Sequence, residues 1–126
     1  MSSILIVEDS PDNMKLFSTL LRLKGHEVNG LLGGDELFAT LARGQPDLIL
    51  MDIQMPGKDG FTLLKEIRES DFKAQRVVAL TANAMAGDME RAIAAGFDGY
   101  ISKPIDIRNF PDQVARALAG KNPLSD

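Results

Sequence analysis

The sequence predicts an α/β fold, a doubly wound (βα)5 arrangement with a five-stranded parallel sheet and helices on both faces. Five short runs rich in Ile, Val and Leu alternate strictly with five longer amphipathic stretches, which is the pattern of successive β–α units. Runs such as LILM are apolar throughout rather than at every second residue, as expected for strands that are covered on both faces.

The predicted strands are short, and the second is the least apolar of them. The first consists only of branched apolar residues, and the third and fourth are similar. Runs of this length and composition, bounded by turn-forming residues, indicate strands. The five predicted strands cover residues 4–7, 27–32, 48–51, 77–80 and 99–101.

The predicted helices cover residues 12–24, 35–42, 61–70, 87–95 and 107–119. Ser10 and Pro11 are typical of an N-cap followed by a proline in the first turn. Glycines stand just past four of the predicted helix ends, where a left-handed residue is often required; they are Gly25, Gly44, Gly96 and Gly120. No repeat is present, so we expect a single domain over residues 1–120 and a short polar tail over residues 121–126.

Composition narrows the function classes. The chain has 126 residues, 44% hydrophobic and 25% charged, which is typical of a globular domain. A net charge of −4 argues against a large nucleic-acid interface, which needs a basic face. There is no cysteine, no signal-peptide pattern in MSSILIV and no apolar run near the ~18 residues of a membrane span. We therefore expect a cytoplasmic protein.

The first predicted strand ends on two adjacent acids, Glu8 and Asp9. Neighbouring carboxylates disfavour each other's ionised form, so this pair suggests a bound partner. Ligands of open parallel sheets bind at the carboxyl ends of the strands, and the ends of three other strands carry Asp52, Thr81 and Lys103. We expect these side chains to converge at one edge of the sheet.

The predicted cluster suits a hard divalent cation and a phosphoryl group. Its three carboxylates and one lysine leave a negative charge that a divalent cation would neutralise, and hard oxygen donors favour Mg²⁺, with Mn²⁺ or Ca²⁺ as second choices. A carboxylate can also act as a nucleophile toward phosphorus. Asp52 can face both the cation and Lys103, while the Thr81 hydroxyl can donate to the phosphoryl group.

Four segments in order, ILIVEDS, PDLILMDIQMPGKDG, VVALTA and YISKP, resemble the receiver domain of two-component response regulators. The likeness extends over essentially the whole chain, and the four segments together are highly specific. It implies a flavodoxin-like strand order, 2-1-3-4-5. It also implies that Asp52 accepts a phosphoryl group from a histidine kinase or a histidine phosphotransfer protein, and that a downstream protein reads the result.

The resemblance further implies a ligand set for the metal. Glu8 and Asp9 would hold Mg²⁺, Glu8 through water, together with Asp52 and the backbone carbonyl of Gln54. The first acid here is Glu rather than Asp, a common variation that leaves the ion site plausible.

The resemblance also implies how phosphorylation is sensed. Thr81 would hydrogen-bond the phosphoryl group and Lys103 would pair with it, next to a cis peptide bond between Lys103 and Pro104. Tyr100 would be the aromatic switch that turns inward when Thr81 moves. With no output domain in the chain, we expect output through another protein. We also expect a monomer or a weak phosphorylation-dependent dimer that binds neither nucleic acid directly nor membrane.

The first helix has an apolar arc that covers about half of its surface, wider than the roughly 100° stripe that burial requires. An exposed part of this arc beside the acids could dock a partner helix that carries the donor histidine. The residues predicted for this contact are Asn13, Met14, Leu16, Pro104 and Ile105. If Met14 and Leu21 were both fully buried, this hypothesis would be dropped.

Other functions remain open from the residues alone. Glu8 and Asp9 could simply favour the N-terminus of the next helix. A Mg²⁺-dependent phosphatase or phosphotransferase with an aspartyl nucleophile commonly needs a second acid two residues later, where this chain has Gln54. A mononucleotide binder would need a Gly- or Ser-rich loop in place of the acidic EDSPDN. A receiver fragment of a hybrid histidine kinase would carry the same motifs.

Overall fold

The computed structural model describes residues 2–55, 59–82 and 87–120, and these residues adopt the predicted α/β fold. The parallel strands lie in the order β2-β1-β3-β4-β5, which confirms the predicted order. The strands are β1 (Ser3–Val7), β2 (Glu27–Leu31), β3 (Leu48–Asp52), β4 (Val77–Thr81) and β5 (Gly99–Ser102). The helices are α1 (Pro11–Arg22), α2 (Leu37–Arg43), α3 (Gly60–Arg68), α4 (Asp88–Ala95) and α5 (Phe110–Leu118).

Burial in the sheet follows the apolar content of each strand. Every residue of β3 and β4 is buried, because these strands are central and covered on both faces. In β2, at the edge of the sheet, only Val28 is buried. The strand that the sequence predicts least clearly is therefore an edge strand, and it ends at Leu31, one residue earlier than predicted.

Two apolar layers cover the sheet. On one face, α1 and α5 pack against alternate residues of the strands, with the Phe17 and Phe110 rings 5.3 Å apart. On the other face, α2, α3 and α4 pack against the remaining alternate residues. Because side chains alternate along a strand, both layers draw on the same continuous apolar runs.

The start of α1 confirms the predicted cap, whereas four helix limits, among them the end of α3 at Arg68 rather than at 70, differ from the prediction by two residues or more. The Ser10 hydroxyl accepts a hydrogen bond from the Asn13 N–H at 3.3 Å, and Pro11 opens the helix. However, α1 ends at Arg22 rather than at 24, and α2 begins at Leu37 rather than at 35. Ahead of α2 the chain turns, and the Leu37 N–H donates to the Gly34 carbonyl.

The largest difference is at α5, which begins at Phe110 and not at 107. Asp106 organises a separate turn, because its carboxylate accepts from the Arg108 N–H at 2.9 Å and its carbonyl accepts from the Asn109 N–H at 3.0 Å. Pro111 then occupies the first turn of the helix, where a missing N–H costs nothing. Apolar spacing alone did not show this turn.

The glycines at helix ends are not equivalent. Gly96 has φ 111 and ends α4 in the left-handed conformation, as predicted. Gly44 after α2 has φ 164, which is extended backbone, so the prediction was wrong there. Among the residues described, no helix has both the length and the apolar character needed to cross a membrane. The predicted tail over residues 121–126 lies outside the described residues.

Candidate functional site

The carboxyl ends of four strands bring the predicted polar residues to one edge of the sheet. Val7 pairs with Met51, so the next residues of these neighbouring strands, Glu8 and Asp52, stand at the same level. Farther across the sheet, Thr81 pairs with Ser102, and Lys103 follows. Glu8, Asp52 and Thr81 are all buried, and carboxylates are seldom fully buried unless they are paired.

Lys103 is the cation that faces the buried acids. Its Nζ lies 2.6 Å from Glu8 Oε1 and 3.0 Å from Asp52 Oδ2. The Lys103 side chain is 15% exposed, while those of Glu8 and Asp52 are 1% and 4% exposed. The Lys103 N–H donates to the Thr81 carbonyl at 2.7 Å, and the Lys103–Pro104 peptide bond is cis.

Backbone donors hold the other carboxylate oxygens. The Gln54 N–H donates to Asp52 Oδ1 at 2.9 Å, and the Ser10 N–H donates to Glu8 Oε2 at 3.3 Å. The predicted role of Gln54 as a carbonyl ligand stays a prediction, although its backbone N–H contacts the Asp52 carboxylate. Sequence reasoning assigned Ser10 only to the cap of α1 and missed its second contact, which follows from its place just after the acids.

The three acids form a group that suits a divalent cation. Carboxylate oxygens of Glu8, Asp9 and Asp52 all lie within 4.8 Å of one another, and Asp9 is the most exposed of the three. Glu8 Oε1 is buried and is compensated by the Lys103 ammonium 2.6 Å away. Three carboxylates whose oxygens lie this close together suit a hard cation with oxygen ligands.

Burial and neighbouring charges shift the pKa values of Glu8 and Lys103. Burial raises the pKa of Glu8 to about 7, and the Asp52 carboxylate adds to this increase while Lys103 opposes it. Burial alone would lower the pKa of Lys103, but hydrogen bonding to Glu8 and Asp52 and their negative charges raise it. Lys103 therefore stays charged, and the ionisation of Glu8 is sensitive to the charges around it.

Thr81 and Tyr100 lie on adjacent strands. Thr81 ends β4 and is fully buried, and Tyr100 in β5 is 8% exposed and packs in the apolar layer formed with α3 and α4. Burial raises the pKa of the Tyr100 hydroxyl, and the negative charge of Glu90 in α4 contributes. Tyr100 is therefore already buried in the absence of a phosphoryl group, and its predicted role as a switch that turns inward stays a prediction.

An apolar groove of about 390 Å³ opens beside the acids, between α1 and the segment after β5. Leu16 is 37% exposed and Ile107 58% exposed. Leu21 is fully buried, but Met14 is only partly buried, so the condition for dropping the docking hypothesis is not met. The sequence analysis did not assign Ile107 to this groove. It placed Ile107 at the start of the fifth helix, which in the structure begins at Phe110. The groove is lined by Asn13, Leu16, Phe17, Ala82, Lys103, Pro104, Ile105 and Ile107.

A larger groove of about 490 Å³ lies elsewhere, between β2 and α2, and extends to Ser3 and Glu27 at the beginnings of their strands. It contains none of the acids described above. Ligands of open parallel sheets bind at the carboxyl ends of the strands. We therefore place the candidate functional site at the acid cluster, although the groove between β2 and α2 has the larger volume.

Comparison with known proteins gives consistent results. The family model of the response regulator receiver domain matches residues 4–115. The polar-differentiation response regulator DivK of Brucella anthropi is 41% identical over 117 residues, which cover 92% of this chain and 95% of that protein.

Solved structures share the fold. The receiver domain of a sensor histidine kinase from Pseudomonas aeruginosa has a TM-score of 0.84 and 33% identity, covers 94% of this chain and 98% of its own, and holds a magnesium ion in its active site cleft. The chemotaxis protein CheY4 of Vibrio cholerae has a TM-score of 0.84 and 27% identity, with coverage of 93% and 98%.

Proposed function

This chain belongs to the family of response regulator receiver domains, and from that membership we propose that it is a single-domain signalling switch phosphorylated on Asp52. The donor is a histidine kinase or a histidine phosphotransfer protein. One observation carries the proposal: Asp52 is a buried carboxylate, 3.0 Å from the Lys103 ammonium and within 4.8 Å of two further acids.

The chemistry is a transfer between two nucleophiles. An Asp52 carboxylate oxygen attacks the phosphorus of a phosphohistidine, the P–N bond breaks, and the imidazole leaves with its electron pair and takes up a proton. When bound by Glu8, Asp9, Asp52 and the Gln54 carbonyl, Mg²⁺ (or Mn²⁺) would offset charge on the phosphoryl oxygens. The acyl phosphate formed on Asp52 is later hydrolysed by water.

Residues of this chain stabilise the added anion. The Lys103 ammonium already contacts the Asp52 carboxylate. After transfer it binds the phosphoryl oxygens instead, because a charge-assisted hydrogen bond to phosphate is strong. The Thr81 hydroxyl donates to a phosphoryl oxygen. The resulting movement of Thr81 biases Tyr100, and through it the surface formed by α4, β5 and α5 that a downstream protein reads.

The chain acts as a phospho-acceptor rather than as an enzyme with a separate substrate, and catalyses only its own phosphorylation and dephosphorylation. A phosphatase acting on small substrates would need an acid at the position of Gln54, which is an exposed amide side chain. The likeness to DivK covers 95% of that protein and supports a stand-alone regulator. The receiver fragment of a hybrid kinase is the second candidate, since the Pseudomonas relative is a domain of a sensor kinase.

The donor docks on the groove beside α1. Asn13 and Leu16 of α1 and Pro104 and Ile105 after β5 provide a partly apolar surface, and partly buried Met14 flanks it. This surface leads to Lys103, which contacts Asp52, so a helix lying in the groove would bring its histidine close to that carboxylate.

We also propose a cytoplasmic location, because histidine kinases draw their phosphoryl group from ATP.

The test is phosphorylation by acetyl phosphate, followed by intact mass. Wild-type protein with Mg²⁺ should gain one phosphoryl group, and it should gain none when a chelator replaces Mg²⁺. Asp52→Asn should gain none in either condition, whereas Asp71→Asn, at an exposed aspartate, should behave as wild type. An equal adduct on Asp52→Asn, or one independent of the metal, would contradict the proposal.

A further inference from the structure

The edge strand β2 has one open side. Among the described strands it pairs with β1 alone, and in a parallel pair every second residue directs its backbone groups to that neighbour. The Glu27 N–H donates to the segment just ahead of β1, and the Leu31 carbonyl accepts from the residue just after β1. The residues between them that alternate with this set, Val28 and Gly30, therefore direct their backbone groups away from the sheet.

A side chain of the same molecule reaches one of these outward groups. The Arg22 guanidinium, at the end of α1, donates to the Val28 carbonyl at 2.9 Å, so this carbonyl faces the open side of the strand. Asn29 and Gly30 are both exposed, and Gly30 has no side chain to cover its own backbone. An edge of this kind is a template for a further strand, and a cation placed on it is a usual restraint.

The two ends of β2 differ in charge. Near the beginning of the strand, Arg43 lines the groove between β2 and α2, and exposed Lys24 precedes the strand, against the acid Glu27. Beyond the end of the strand, Asp35 and Glu36 line a second groove of about 460 Å³. A second copy placed antiparallel brings the basic end of each strand to the acidic end of the other.

We propose that the open side of β2 is a self-association surface, on which a second copy of this chain pairs antiparallel and joins the two sheets. With the two-fold axis at Asn29, Val28 of one copy and Gly30 of the other exchange both of their backbone hydrogen bonds, and one patch serves both copies. Pairing displaces Arg22 from the Val28 carbonyl, so Arg22 keeps the dimer weak. No residue of the phosphoryl-transfer site takes part, and the inference goes beyond the proposed function.

The test is sedimentation equilibrium of the unphosphorylated chain over a range of concentrations, which gives the dissociation constant of the dimer. Asn29 faces its own copy across the axis, so Asn29→Lys alone or Asn29→Asp alone places like charges opposite each other and should weaken the dimer at least about fivefold. An equal mixture of the two variants should restore it, because opposite charges then meet. Asn109→Lys makes the same change at an exposed asparagine after β5, the opposite edge strand, and should behave as wild type.

Two further variants test the part played by Arg22. Arg22→Met frees the Val28 carbonyl and should tighten the dimer about threefold to tenfold, the usual net worth of one hydrogen bond. Lys24→Met removes a nearby charge without freeing a carbonyl and should not tighten it. Circular dichroism should show that every variant is folded.

Two results would contradict the proposal. Wild-type and Arg22→Met proteins that both stay monomeric at about 1 mM, where even a weak pairing is populated, would overturn it. A dimer that the single Asn29 variants do not weaken, or that their mixture does not restore, would also overturn it, because association would then use another surface.

Discussion

Glu8 and Lys103 decide the charge balance of the site. Burial pushes Glu8 toward its neutral form and raises its pKa to about 7, and the Lys103 ammonium 2.6 Å away works against this. In the folded protein Glu8 holds its proton more tightly than in the unfolded chain, so its neutral form favours folding below pH 4.5. That contribution is lost as the pH rises through about 7.

Removal of Lys103 should therefore destabilise the metal-free protein in a pH-dependent way. In Lys103→Met at about pH 8, two buried charged carboxylates lose their counter-ion, at a cost of about 3 kcal/mol in the free energy of unfolding. At about pH 5.5 the loss should be smaller, because Glu8 is then protonated. Urea unfolding with a chelator present measures both values.

The control for this experiment is Lys24→Met, which should change the free energy of unfolding by less than about 0.5 kcal/mol because Lys24 is exposed. A loss for Lys103→Met that is equal at both pH values, or larger at the lower one, would contradict the charge balance described for Glu8.

At the residue scale, the sequence predicted which side chains meet but not how they divide their contacts. Glu8, Asp52 and Lys103 could be predicted because strand ends of a parallel sheet share one edge. The closer contact of Lys103 with Glu8 than with Asp52 could not be predicted. It depends on side-chain conformations and on a difference of a fraction of an ångström between two distances. Gln54 lies where its amide meets Asp52, and its carbonyl role stays a prediction.

Among the elements, α3 begins in close contact with the backbone of Asp52 and Ile53. A Cβ at Gly60 would lie 2.7 Å from Ile53 Cα and 2.8 Å from the Asp52 carbonyl oxygen. Both contacts are with backbone, which cannot yield as a flexible side chain can. The first residue of α3 therefore fixes how closely the helix approaches the strand end that carries Asp52.

Gly60→Ala should destabilise the protein by about 1–3 kcal/mol, the usual cost of overpacking, and should slow phosphorylation of Asp52 by acetyl phosphate. Gly44→Ala is the matched control, because a Cβ there meets nothing within 4 Å and its backbone is extended. Thermal unfolding and the rate of adduct formation measure the two effects. Equal behaviour of both variants would show that the close approach of α3 has no role.

At the element scale, the number, type and order of helices and strands could be predicted, whereas several ends could not. Alternating apolar runs and amphipathic stretches indicated every element. The start of α5 at Phe110 escaped prediction, because Asp106 forms a local turn through its own side chain and the apolar pattern continues through that turn. Short-range hydrogen bonds of this kind decide helix ends, but leave little trace in hydropathy.

In the whole molecule, the sheet is the frame that keeps the site in place. Four different strands carry the site residues at or just after their carboxyl ends, and apolar layers cover both faces of the sheet. These residues are Glu8, Asp52, Thr81 and Lys103. The groove beside α1 and the surface of α4 and β5 lie in different parts of this frame, so a donor and a downstream protein can use separate surfaces.

The central claim, that Asp52 is the acceptor, is tested most directly by chemical trapping. Borohydride reduces an acyl phosphate to an alcohol, so a phosphorylated aspartate becomes homoserine, which peptide mass spectrometry can locate. After treatment of the wild-type protein with acetyl phosphate and Mg²⁺, we expect homoserine at position 52 alone. Reduction at Glu8, Asp9 or another carboxylate, with Asp52 intact, would contradict this account.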